Sequence, residues 1–239
     1  MYQERFYRKW TETHNLHKLW IVVHESDLLL YTSEKINRES AENIVKGYRS
    51  QIEDYIQKHR DFYNSLSPVE PLPLAPPIIK DMCYFSSLTG IGPFSSVAGA
   101  IAQYVGEELL EYSKEVIVEN GGDLFVKIQE VRIGGVFFYQ GNKRQIIRFK
   151  IRPTTTTLGI SSSSSTIGDS LSFGNVELAC VVADNAILSD TCATLLGNLV
   201  KKRKDINPAL SRIKSIEGVR AALIVFQNEV FLWGEWELV

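Results

Sequence analysis

The chain has 239 residues, 44% of them apolar and 23% charged, with 26 Lys or Arg against 28 Asp or Glu and a net charge of −2. That length can bury a full core as one large unit or two small ones. The near-neutral, interspersed charge gives no electrostatic case for nucleic acid, and neither a membrane span nor a signal peptide is expected, because no apolar run approaches bilayer length and residues 1–10 are too polar.

Residues 2–10 alternate aromatic and polar side chains and predict a strand. Runs 19–23 and 28–32 are β-rich around the polar turn His24-Glu25-Ser26-Asp27, which predicts a hairpin or meander. Ala41, Ile44, Val45, Tyr48, Ile52, Tyr55, Ile56 and Phe62 then recur at helical spacing, with Ser40 as the expected cap. Five prolines within residues 68–77 mark an extended connector and the main organisational break. Sub-lobes 1–67 and 78–239 of a single 1–239 domain are expected on either side. A strap fixed to the surface would satisfy this composition as well as a hinge.

Beyond the connector, Phe94, Val97, Ala98, Ile101, Ala102, Val105 and Leu109 again follow helical spacing, among the small residues Ser95, Ser96, Gly99 and Ala100. A helix so lightly clothed lets a ligand or another backbone come close, and composition leaves both open. Runs 116–118 and 124–126 flank Asn120-Gly121-Gly122, a hairpin signal that calls for two successive residues with positive φ. Glu119 and Asp123 beside it read as solvated strand-end charges or as acids supporting a site. Strands follow over 132–139 and 145–152. Segment 154–174 holds four threonines, then Leu158-Gly159-Ile160, then five serines and Thr166, and reads as a low-complexity loop. Its hydroxyls and glycines also let backbone N–H groups gather round a phosphate.

A buried strand over 178–183, a helix opening near 188, a short helix over 207–216 with Pro208 in its first turn, and a last hairpin over 221–226 and 230–239 complete the chain. No internal repeat is visible, and strands and helices mix without βαβ alternation. An α+β fold is expected, with antiparallel sheets covered by helices over 40–64, 94–112 and 190–201. The aromatic N-terminal strand with Trp233 and Trp236 suits either a homodimer surface or the core.

Cys83, Cys180 and Cys192 show no CxxC or metal-type spacing, which fits a reducing cytoplasm rather than a disulfide framework. Cys192 reads as a low-pKa thiol near a helix N-terminus or as a small buried side chain. All four histidines, His14, His17, His24 and His59, lie in the first quarter, so a histidine-based triad or zinc centre confined to the C-terminal body is excluded.

The most informative stretch is Leu188-Ser189-Asp190-Thr191-Cys192-Ala193-Thr194. Residues four apart share a helix face, so Asp190 and Thr194 point a carboxylate and a hydroxyl the same way. At a helix N-terminus with unpaired N–H groups, such hard oxygens suit Mg²⁺ held with phosphate. The plainer reading is that Ser189 or Asp190 caps the helix and Thr194 packs inward.

Four segments, in order, resemble the ApbE-like superfamily, whose named enzyme is FAD:protein FMN transferase. Ser96-Val97-Ala98-Gly99-Ala100-Ile101-Ala102 resembles its Gly-Ala helix, and Glu119-Asn120-Gly121-Gly122-Asp123 its Asn-Gly-Gly turn. Gly159-Ile160-Ser161-Ser162-Ser163 is similar to its Gly-Ile-x-Thr-Ser loop, and Asp190 with Thr194 to its Asp-x-x-x-Thr helix. The chain is more similar to the bacterial and archaeal ApbE-like branch than to the transferase itself.

The resemblance implies a T-fold-like, two-lobed architecture and a Mg²⁺ site built from Asp190, Thr194 and a backbone carbonyl near Ala102. It implies an FAD or FMN pocket lined by Ala98, Gly99, Asn120, Gly121, Gly122, Asp123, Gly159, Ser161, Ser162, Ser163 and Thr166. A small phosphorylated ligand is the implied partner, and FAD-pyrophosphate cleavage or FMN transfer the implied chemistry. Two departures weaken transfer: Gln103 stands where transferases carry lysine, and Asp169 where close relatives show histidine. The resemblance also permits a non-catalytic accessory role in anaerobic sulfur assimilation or homocysteine formation.

Overall fold

The computed structural model describes Arg8, residues 15–164 and residues 173–239. Apart from Arg8, the strand expected over 2–10 lies outside them, as do Thr166 and Asp169. Alternation of exposed and buried residues along β1 (His17–Val23) marks an edge strand, whereas β2 (Ser26–Thr32) is buried at every position. A strand buried on both faces belongs inside a sheet. β3 (Val116–Asn120) and β4 (Asp123–Lys127) continue from it, then β5 (Arg132–Gln140) and β6 (Lys143–Ile151) leave as a separate hairpin. β7 (Leu158–Ser163), β8 (Leu178–Ala183), β9 (Val219–Phe226) and β10 (Glu229–Gly234) complete an eight-stranded antiparallel sheet in the order β1-β2-β3-β4-β7-β8-β9-β10.

Four helices separate β2 from β3: α1 (Arg38–Lys58), α2 (Arg60–Asn64), α3 (Pro77–Thr89) and α4 (Val97–Leu109). Two separate β8 from β9: α5 (Ala186–Leu199) and α6 (Ile206–Lys214). The chain therefore runs twice through hairpin, helices, hairpin. This is a repeat of topology, not of residues, and it was invisible in the sequence for that reason. Leu28, Val118 and Phe125 pack under α1, α3 and α4, while Val181, Ala222 and Ile224 pack under α5 and α6. The opposite face is covered by Val136, Phe138, Phe149 and Ile151 of the β5–β6 hairpin. Trp236 locks that hairpin down, its ring 4.9 Å from Phe149 and its indole N–H donating to the Ala222 carbonyl at 3.1 Å. In this structure Trp236 is half-buried and packs against that core.

Several expectations are corrected. The cap of α1 is Asn37, whose side chain accepts the Ser40 N–H at 3.1 Å; Ser40 already lies inside the helix. Helix α3 went unread, although Pro77 in its first turn, buried Ile78, Ile79, Met82 and Cys83, and Gly90 at φ 78° past its end are all ordinary signals. Of the two readings left open for the proline-rich connector, strap and hinge, the structure has the strap. Leu72 donates its N–H to the Tyr55 hydroxyl at 3.1 Å, and Ala75 enters the same core as α1 and α4. Segments on its two sides thus share one core, and the seam between the topological halves falls between β4 and β7. Within the expected loop 154–174, residues Leu158–Ser163 are strand β7, because Leu158 and Ile160 find an apolar face to bury against.

Candidate metal site at the seam between the two halves

Strand register assembles the site. Asn120 pairs with Asp123 across the β3–β4 turn, Asp123 pairs with Ser161 of β7, and Ser161 with Val181 of β8. Cross-strand partners share a face of the sheet. Since Val181 lies in the core under α5, the polar trio faces the helices. There Asn120 donates its amide to the Ala98 carbonyl of α4 at 3.1 Å, and the hydroxyls of Ser161 and Ser189 lie 2.7 Å apart. One polar rung therefore ties both halves to α4 and α5.

Gly99 and Gln103 on α4 meet Ala186 and Asp190 on α5, and Thr194 follows Asp190 on the same stripe of α5 four residues on. A Cβ on Gly99 would stand 2.4 Å from the Ala186 carbonyl oxygen and 2.7 Å from the Asp190 Cβ. The missing side chain is what allows the approach. Gly99 donates its backbone N–H to Asp190 Oδ2 at 2.9 Å, and Gln103 Oε1 accepts the Ala186 N–H at 2.7 Å.

Asp190 is 7% exposed, and its Oδ1 has no hydrogen-bond donor among the described residues. Burial, and then the neighbouring Asp123 carboxylate, push its carboxyl well above the ordinary range, while the Gly99 N–H pulls the other way. No cationic side chain among the described residues counters its charge. One charge-assisted hydrogen bond is worth about 1.5–3 kcal/mol, whereas burying a carboxylate costs several kcal/mol even after relaxation. The site as built favours either a proton or an added cation. Among the described residues no three His, Cys, Asp or Glu side chains gather as metal ligands, so a cation here would also need hydroxyl, carbonyl or water oxygens.

The structure brings Ala98, Gly99, Asn120, Asp123, Ser161 and Asp190 together, but not in every expected role. Helix α5 begins at Ala186, with Asn185 as its cap accepting the Leu188 N–H at 2.8 Å, so Asp190 sits in the second turn and does not face open N–H groups of its own helix. The free end it meets is that of α4. Only Gly121 has positive φ, at 73°; Gly122 is required because a Cβ would stand 2.7 Å from the Ser162 hydroxyl. Gly159 likewise clears room for the Asn185 backbone, since a Cβ would stand 2.1 Å from the Asn185 oxygen. The Ser162 hydroxyl donates to the Gly122 carbonyl at 3.3 Å.

Ala102 is fully buried inside α4, one turn beyond the Gly99 contact, and Ser163 is half-buried at the end of β7. Thr194 is half-buried, with no partner for its hydroxyl among the described residues. Asp123 is buried at 9% exposure, not a solvated strand end, and buried Glu119 is ion-paired with Arg8 on the other face. Sequence reasoning missed Asn185 and the contacts of Gln103, and read Ser189 as a cap where it bonds Ser161 instead; an asparagine just ahead of Ala186-Ile187-Leu188 was the available signal for the cap.

The cysteines are not part of this chemistry. All three are buried, and desolvation pushes the thiols of Cys180 and Cys192 up to about 12 and that of Cys83 to about 11. The native protein is expected to show no fast-reacting thiol with a disulfide reagent at pH 8, with all three released by denaturant. A rapid equivalent in the native state would contradict the burial of Cys192.

No described helix is long and apolar enough to cross a membrane. The family model described as AbpE bacteria matches residues 8–232. A UPF0280 protein of Methanothrix thermoacetophila is 34% identical over 216 residues, covering 89% of this chain and 90% of its own. A UPF0280 protein of Archaeoglobus fulgidus is 33% identical, covering 86% of each. Among solved structures, flavin transferase ApbE of Vibrio cholerae superposes with a TM-score of 0.60 at 10% identity, over 91% of this chain and 96% of that one. The ApbE protein of Thermotoga maritima gives 0.61 at 13% identity over 90% and 96%. With its family match running through both topological halves, this chain belongs to the AbpE family of bacteria, is related to the archaeal UPF0280 proteins, and carries the ApbE flavin-transferase fold.

Proposed function

We propose that this chain binds a phosphorylated ligand of the flavin-nucleotide class together with Mg²⁺ at the seam. The observation that carries the reading is the Asp190 carboxylate, buried beside Asp123 and, among the described residues, bonded through one oxygen only and facing no cation. Its free oxygen, the Thr194 hydroxyl further along the same stripe and nearby backbone carbonyls are hard donors of the kind Mg²⁺ takes. When bound, Mg²⁺ would supply Lewis-acid polarisation of phosphate oxygens. The protein's own part is positional. Gly99 fixes the carboxylate through its N–H, Asn120 anchors the β3–β4 turn to α4, and Ser161 with Ser189 anchors β7 to α5.

The flavin part of the reading draws support from the fold shared with flavin transferase ApbE of Vibrio cholerae. Ligand binding is favoured over transfer, because the hydroxyls of Ser161 and Ser162 are already bonded within the protein and Gln103 offers no ammonium group. Thermal unfolding tests it. Saturating Mg²⁺ with FAD or FMN is expected to raise Tm by roughly 5–10 °C at a hundredfold excess over Kd, and Asp190→Asn to abolish the Mg²⁺-dependent part. AMP appearing from FAD would extend the reading to turnover. No shift with either nucleotide, with and without Mg²⁺, would overturn it.

A further inference from the structure

We infer that Gln103 is a positioning residue for this site: it locks the first turn of α5 against α4 and thereby aims the Asp190 carboxylate. The inference rests on the Mg²⁺ reading above. Gln103 is 5% exposed, and both ends of its amide are engaged. Its Oε1 accepts the Ala186 N–H at 2.7 Å, and its Nε2 donates to Glu107 Oε1 at 2.7 Å. Only one orientation of the amide satisfies both bonds, so Glu107 keeps the oxygen turned toward α5.

The bond is not an ordinary helix cap. A cap lies at the start of its own helix, and α5 already has one in Asn185. Gln103 reaches Ala186 from a helix 83 residues away in sequence. What it fixes is therefore the placement of one helix on the other. The Gly99 contact sets how near α4 and α5 come, while a directional hydrogen bond one turn along sets how far one can slide or turn against the other. Asp190 lies four residues after Ala186, on the same face, and inherits that placement. A lysine could not do this, since an ammonium group has donors and no acceptor. Gln103 is an acceptor here and supplies no charge to Asp190.

The test measures Mg²⁺ binding by calorimetry on the full-length protein, comparing wild type with Gln103→Met, Gln103→Glu and Gln103→Lys, with circular dichroism to confirm folding. Methionine matches glutamine in length and lacks the acceptor. It is expected to weaken Mg²⁺ at least about tenfold, the scale of lost outer contacts to metal ligands. Gln103→Glu keeps an oxygen for the Ala186 N–H and is expected to stay nearer the wild-type affinity, while Gln103→Lys falls with methionine or below it. Folded Gln103→Met binding as tightly as wild type overturns the inference, as does equal weakening in Gln103→Met and Gln103→Glu. If Gln103→Met does not fold, the glutamate–lysine comparison decides in the same sense. A wild type that binds no Mg²⁺ removes the underlying reading and this inference with it, a result distinct from the other two.

Discussion

Gly99→Ala is expected to destabilise the protein by about 1–2 kcal/mol and to remove its response to Mg²⁺, although alanine is the better helix former. The added Cβ would stand 2.4 Å from the Ala186 carbonyl oxygen, 2.7 Å from the Asp190 Cβ and 3.0 Å from the Ala186 carbonyl carbon. Two of those three atoms are backbone and the third is fixed to it, so no side chain can swing aside. Relief requires α4 and α5 to part. Overpacking of this kind costs about 1–3 kcal/mol or more, and the propensity gain of about 1 kcal/mol offsets only part of it. Gly47→Ala is the matched control. That residue is exposed within α1, with nothing within 4 Å of its would-be Cβ, so the same substitution should stabilise by about 0.5–1 kcal/mol. Urea unfolding of the two variants should therefore move in opposite directions. Equal shifts, or a Gly99→Ala protein as stable as wild type, would mean that the helices are not in this contact.

The fold was legible wherever residue pattern and burial agree. β1, β2, β3, β4 and β8 sit where alternation or continuous apolar runs put them, because each answers to the sheet beside it. β7 did not read, since Leu158-Gly159-Ile160-Ser161-Ser162-Ser163 is half hydroxyls, and those of Ser161 and Ser162 find protein partners brought in from elsewhere in the chain. The last hairpin turn shows the reverse case. Gln227 and Asn228 take φ of 52° and 64° without a glycine, while the Gly121-Gly122 pair, chosen for that geometry, uses positive φ once. One glycine is there for its dihedral angle and the other for its size, a distinction that only the neighbouring Ser162 reveals.

For the site, the resemblance implied that Asp190, Asn120 and Gly99 line one place, but residue types and spacing could not say which groups they would touch. The sequence places Asp190 at the start of its own helix; in the structure it meets the start of α4 instead, because α5 already begins at Ala186. Gln103 read only as a missing lysine. Its work as an acceptor depends on Ala186, and no pattern within either helix predicts that pairing. Contacts between elements distant in sequence are where reading from one chain stops.

Asp190→Asn is expected to stabilise the metal-free protein at neutral and alkaline pH while removing its response to Mg²⁺. In the folded state burial and Asp123 hold the Asp190 carboxyl above its ordinary range, so between the unfolded and folded values the native protein carries a proton that the unfolded chain has lost. Stability contributed by this group is therefore full below the unfolded pKa and declines as pH rises through the folded one, and each unit of difference is worth about 1.4 kcal/mol. Asparagine retains an oxygen for the Gly99 N–H and carries no charge to desolvate. With a chelator present, the two proteins should match near pH 4 and diverge toward pH 8, asparagine the more stable. With saturating Mg²⁺ the order should reverse, because an ion bound only by the folded wild type adds its binding free energy to that state alone. Denaturant curves at several pH values, with chelator and with Mg²⁺, read both effects. Parallel pH profiles for the two proteins would show that Asp190 bears no desolvated charge, and divergence without reversal would show that its natural counterion is not Mg²⁺.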